Sequence, residues 1–210
     1  MLEGIVYRST GSWYLVKTDD GFLNCRIKGK IRLQGIKSTN PVAVGDRVAV
    51  DKDPKDSSQG VISDILERKN YIIRRSVNLS KQTHIIAANI DQVFLLVTLN
   101  NPMTTFAFID RFLVSAEAYG IPVILLFNKM DSYNEGERQA LEEMQAVYGK
   151  IGYETRFISA LAQQGVEDLK KAMGGKVSMF SGHSGVGKST LANAIAPDLD
   201  LKTATISSSH

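Results

Sequence analysis

A single cysteine, Cys25, stands among the 210 residues, so neither an internal disulfide nor a cysteine-rich zinc site can be built from this chain. We read Cys25 as a small buried hydrophobe. Only three histidines occur, His84, His183 and His210; they do not cluster in sequence, and nothing points to a histidine-built metal centre or triad. Long apolar runs are also missing. The longest, residues 93–99 and 121–127, fall far short of the ~20 residues of a bilayer-crossing helix, so no membrane span is expected. The start, Met1-Leu2-Glu3-Gly4, has an early acid and no basic-then-apolar block, which argues against a secretory or transit peptide. The expected compartment is the cytoplasm.

What is present is an ordinary globular composition, 43% hydrophobic and 22% charged, enough for one or two modest domains. The net charge of +3 conceals an asymmetry. Residues 1–84 hold 15 Lys and Arg against 9 Asp and Glu, a net of +6, whereas residues 85–210 hold 10 against 13, a net of −3. A polyanionic partner is therefore expected on the front part.

The period of the apolar residues divides the chain in the same region. Residues 4–7, 13–17, 22–33, 47–51 and 61–66 read as short strands separated by turn chemistry such as Asp19-Asp20-Gly21 and Val44-Gly45-Asp46. Five such strands within residues 1–68 predict an all-β, OB-like barrel. Residues 69–84 read as a linker with room for one further strand. From residue 85 onward apolar runs alternate with helical spacing. Residues 93–99 and 122–127 suit parallel strands covered on both faces, and Phe106, Ile109, Leu113 and Ala116 recur as on one face of a helix. Asn134 and Glu137 are spaced as a capping box ahead of Leu141, Met144 and Tyr148. Residues 153–158, 166–173 and 177–181 continue the alternation. The expectation for residues 85–210 is a doubly wound α/β domain with its ligand at the carboxyl ends of the strands.

The most specific motif is Gly182-His183-Ser184-Gly185-Val186-Gly187-Lys188-Ser189, which follows a predicted strand and opens a helix at Thr190. Glycines let the backbone wrap around phosphate oxygens, amide hydrogens and the helix N-terminus supply positive potential, and Lys188 adds a point charge. Ser189 would offer its hydroxyl to Mg²⁺. Asn128, Lys129, Met130 and Asp131 follow an apolar strand directly, and a carboxylate at Asp131 can accept two hydrogens from guanine, a donor pair adenine lacks on that edge. Asn128 could contact the base or brace the loop. Ser159-Ala160 closes the next predicted strand, where a short residue would let the Ala160 N–H approach the guanine carbonyl. Together the three segments form a guanine-nucleotide site for GTP or GDP. Their chain order, base-reading loop, then Ser-Ala loop, then phosphate loop, differs from that of ordinary small GTPases; since all the loops leave one sheet edge, permuting the chain leaves the geometry intact.

With Val44-Gly45-Asp46 in the barrel and the three motifs in this order, the chain resembles over its whole length the circularly permuted ribosome small subunit-dependent GTPase A family (RsgA). The resemblance implies an OB-fold barrel, a permuted GTPase domain, and Mg²⁺-dependent GTP hydrolysis stimulated by the small (30S) ribosomal subunit late in its maturation. It also implies contact with 16S rRNA. By position, residues 128–131 would hold the base and residues 182–190 the phosphates and Mg²⁺. Two parts of the family pattern are missing. No Asp-x-x-Gly occurs in these 210 residues, and the family's Cys/His zinc domain, with its zinc site, lies outside this chain. The sequence therefore reads as truncated before the switch segments, no catalytic residue is assigned, and His183 is taken as a loop residue. A monomer is expected.

In the barrel, Arg26, Lys28, Lys30 and Arg32 occupy alternate positions with Cys25, Ile27, Ile31 and Leu33 between them, so one strand would turn all four cations outward. These are the RNA-binding candidates, with Trp13, Tyr14 or Phe22 as stacking partners where exposed. Two other readings stand beside the GTPase: a phosphate-loop ATPase or kinase, and a non-catalytic RNA-binding module with a vestigial pocket.

Overall fold

A computed structural model describes residues 1–29, 41–75 and 83–203. It separates into two compact units, residues 1–90 and 91–210.

In the first unit, β1 (Leu2–Thr10), β2 (Trp13–Thr18), β3 (Gly21–Ile27), β4 (Arg47–Lys52) and β5 (Gln59–Ile65) close a barrel in the order β1-β2-β3-β5-β4. Among these barrel strands the pairs are antiparallel except β3 with β5, which is parallel. Alternation sorts the side chains: Val6, Val16, Leu23, Cys25, Val48, Val50 and Ile62 fill the interior. Burial pushes the Cys25 thiol up to about 11, which keeps it protonated and inert. Tyr14 also points inward, 3% exposed and paired in register with Cys25, so it is a core residue and not a stacking partner. Trp13 and Phe22 remain on the outer surface. The third strand ends at Ile27; Arg26 and Lys28 are exposed as the alternation requires, while Lys30 and Arg32 lie outside the described residues.

The segment read as a linker carries β6 (Tyr71–Arg75), antiparallel to β7 (Thr83–Ala88). The Val44-Gly45-Asp46 turn joins this ribbon to the barrel. Ala88 N–H donates to the Val44 carbonyl at 2.9 Å, and the Asn89 amide to the Gly45 carbonyl at 2.9 Å. Gly45 has φ +88°, and a Cβ there would lie 2.1 Å from the Ala88 carbonyl oxygen, so both conformation and close approach demand glycine. Asp46, fully buried, takes a two-pronged ion pair from Arg68 at 2.7 Å on each oxygen and a third bond from the Ala43 N–H.

The second unit alternates β8 (Gln92–Val97), α1 (Phe106–Ala118), β9 (Val123–Phe127), α2 (Glu135–Lys150), β10 (Glu154–Phe157), α3 (Val166–Met173), β11 (Ser178–Ser181) and α4 (Lys188–Ile195). Its four strands are parallel, in the order β10-β9-β8-β11. Every residue of β8 and β9 is buried, the expected result for strands covered on both faces. Phe94, Leu96, Ile124 and Leu126 pack with Val166 and Leu169 of α3 and Leu191 of α4. Ile109, Leu113 and Ala116 are the buried residues of α1, and Leu141, Met144 and Tyr148 those of α2. Phe106 departs from the expected stripe: it is 47% exposed and stacks on the Tyr148 ring instead. The capping box at Asn134 and Glu137 forms in both directions.

From β8 the chain winds outward to β9 and β10, then crosses back to β11 on the other side of β8. The reversal between β8 and β11 is a topological switch point, where carboxyl-end loops splay apart and leave a crevice.

Candidate functional site

The loops after β9, β10 and β11 meet at that edge. Lys188 begins α4, two residues earlier than the sequence suggests, and Gly187 caps it with φ +100°. A Cβ on Gly187 would stand 2.4 Å from Asn128 Nδ2, so glycine is needed for approach as well as conformation. Lys188 Nζ donates to the carbonyls of Gly182 at 2.9 Å and His183 at 2.6 Å, a curl that holds its ammonium inside the loop. Burial lowers its pKa below the ordinary lysine value, and an anion beside it would reverse that cost. Val186 is fully buried in the sheet core, while Ser184 and Gly185 are exposed at the tip. The His183 ring lies against Phe108 of α1, with ring centroids 3.8 Å apart.

Asn128 is the junction of the three loops. Its Nδ2 donates to the Val186 carbonyl at 2.8 Å, and its Oδ1 accepts the Ala160 N–H at 3.0 Å. Of the two roles open to it in the sequence, the brace is formed in the structure. The same bond redirects Ala160: its N–H is held by Asn128 rather than turned outward to a base carbonyl, because the buried amide oxygen requires a donor. Asp131 is exposed beside it, and the buried Ser159 hydroxyl donates to its Oδ1 while accepting the Ala162 N–H. Ser159 thus aims the carboxylate. Lys129 adopts φ +71° and donates its ammonium to the Asn101 carbonyl. Burial lowers its pKa and the neighbouring Asp131 partly offsets this. Met130 ties its N–H to the Ile158 carbonyl at 3.2 Å.

One contributor left no mark in the sequence. Arg138 of α2 donates to the carbonyls of Met130 and Tyr133, fixing the far side of the Asn128–Asp131 loop from a helix whose visible features were its cap and apolar stripe.

Chemically, the edge offers an ammonium and a helix N-terminus inside a glycine loop, which suits phosphates, and an aimed carboxylate nearby, which suits a base with two adjacent N–H donors. Ser189 and Thr190 stand in the first turn of α4. A Ser189 hydroxyl fits Mg²⁺ as the sparse protein donor of an ion held mostly by phosphate oxygens and water. Among the described residues no group of three or more His, Cys, Asp or Glu could hold a metal unaided. Among them, too, no helix is long and apolar enough to cross a membrane.

Comparison with known proteins agrees along the whole chain. Residues 65–210 match the RsgA GTPase family, and residues 3–62 match the RsgA N-terminal domain. The small ribosomal subunit biogenesis GTPase RsgA of Flavobacterium johnsoniae is 61% identical over 98% of this chain and 64% of its own length. That of Christiangramia forsetii is 61% identical over 100% and 67% respectively. The chain thus spans about two thirds of the length of these relatives. The crystal structure of YjeQ from Thermotoga maritima superposes with a TM-score of 0.76 at 38% identity, covering 97% of this chain and 68% of the other. That of YloQ, a circularly permuted GTPase, superposes with a TM-score of 0.68 at 30% identity, covering 94% and 65%.

Proposed function

The chain belongs to the RsgA GTPase family, and on that premise we propose that it binds GTP and GDP at the β8–β11 edge as part of a GTPase acting in small-subunit maturation. The observation that carries the reading is the Asn128 junction. One side chain holds the phosphate loop and the Ser-Ala loop at once, so segments 58 residues apart in the chain meet at one sheet edge. Residues 182–190 would cradle the phosphates, with Lys188 released from the loop carbonyls to the anion. Asp131, aimed by Ser159, would accept from the base. Mg²⁺, held at Ser189 and the phosphates, would supply charge neutralisation for phosphoryl transfer.

Guanine selectivity is testable at one atom. For the unmodified chain, GDP is expected to compete for bound fluorescent GDP while ADP does not. Asp131→Asn is expected to lose about tenfold or more in GDP affinity and to gain xanthosine diphosphate binding, because an amide can donate where the carboxylate only accepts. Equal displacement by ADP would favour an ATPase or kinase, and no binding of any nucleotide with Mg²⁺ a vestigial pocket.

The partner we propose is the 30S subunit with its 16S rRNA, contacted through the barrel. What supports this is the +6 charge of residues 1–84 and an outer surface where Arg26 lies over Trp13 at 4.0 Å and Lys17 over Phe22 at 4.8 Å. Co-sedimentation with small subunits is expected to be stronger with a non-hydrolysable GTP analogue than with GDP, and to weaken as salt rises. Equal pelleting in both nucleotide states, or none, would count against a nucleotide-gated partner.

A further inference from the structure

Of the six residues between β11 and Lys188, three are glycine and one is serine, and only His183 and Val186 carry side chains large enough to anchor the loop sideways. Val186 is sunk in the core formed with α3 and α4. His183 leans the other way, onto Phe108 in the first turn of α1, at a centroid distance of 3.8 Å and an interplanar angle of 33°. Both rings are half-buried. The His183 carbonyl is also one of the two groups that hold the Lys188 ammonium.

We propose that Phe108 is a positioning residue for the phosphate loop: by stacking on His183 it holds the first half of the loop open, with its carbonyls and Lys188 set for an incoming diphosphate. The proposal rests on the nucleotide reading above and adds a residue outside all three motifs. The backbone at Gly182 and Gly185 is free to take many shapes, and its φ values here are +138° and +84°. Without a lateral anchor, the loop loses preorganisation and binding must restore it, which weakens affinity without a lost ligand contact. A ring pair contributes roughly 0.5–1.5 kcal/mol beyond its area, which corresponds to about a two- to tenfold change.

The test is a double-mutant cycle on fluorescent GDP affinity, with thermal midpoints measured alongside. Phe108→Ala and His183→Ala are each expected to weaken GDP about two- to tenfold, the double variant no more than either alone, and Phe108→Tyr to retain wild-type affinity. Thermal midpoints should stay near wild type, since Phe108 is outside the buried set of α1. If Phe108→Ala binds like wild type, if the two effects simply add, or if Phe108→Tyr loses as much as Phe108→Ala, the positioning role is overturned while the nucleotide site stands. If the unmodified chain binds no guanine nucleotide, both fall together.

Discussion

Replacing Arg68 by alanine is expected to destabilise the N-terminal unit by about 3–5 kcal/mol, because it strands a buried carboxylate. Asp46 is 0% exposed and three of its partners are placed: two guanidinium nitrogens at 2.7 Å and the Ala43 N–H at 2.8 Å. The same guanidinium also donates to the Pro41 carbonyl at 2.9 Å, so its removal leaves a second acceptor short. A unit of this size has on the order of 5–13 kcal/mol in all. The loss should lower the thermal midpoint by roughly 12 °C or more. Arg68→Lys should recover little, since an ammonium cannot match the planar fork across both carboxylate oxygens. Thermal melts of the full chain decide it: a midpoint within about 2 °C of wild type for Arg68→Ala would show that the pair does not hold the turn. Elsewhere on the barrel, the ion pairs Arg47–Glu3 and Lys52–Asp20 are solvent-exposed, and their loss should hardly register.

Lys188→Ala is expected to weaken guanine-nucleotide binding by roughly ten- to a hundredfold, the cost of one charge-assisted hydrogen bond to phosphate. The fold should be unaffected. The Lys188 side chain is only half-buried and its partners are loop carbonyls, which water can satisfy once the ammonium is gone. Titration of fluorescent GDP, paired with a melt of each protein, separates the two effects. Unchanged affinity would remove the phosphate-loop assignment; a matching fall in stability would mean that the lysine is a structural strut. The contrast with Arg68 is instructive, because the cation that matters for stability is buried with its anion, whereas the one that matters for binding lies within reach of solvent.

Much of the architecture is legible in the sequence. β2 and β9 begin and end within one or two residues of the runs that predicted them, and α3 spans the same residues. The capping box formed as its spacing required. These features are local: the side-chain period and the cap chemistry act over a few residues. Misreadings came where two local solutions are equally good. Trp13 and Tyr14 are adjacent aromatics on one strand, so one must face in and the other out, and only the register of Tyr14 with Cys25 settles which. Phe106 fits the apolar stripe of α1 but sits at its first residue, 47% exposed, where it stacks on the outer side of the buried Tyr148 ring.

The sequence by itself determined the period of the barrel strands and of the later strand–helix alternation, the glycine loop ending in Lys188, the carboxylate at Asp131 and the order in which the three loops appear. Those properties depend on neighbours along the chain. Only the tertiary structure decided that Asn128 braces the two other loops, that the Ala160 N–H is engaged by it, that Ser159 aims Asp131, and that Arg68 belongs to Asp46. A hydrogen bond is a matter of about 3 Å in space, and its partners here lie tens of residues apart, so no local pattern can assign them until the sheet and barrel have brought them together.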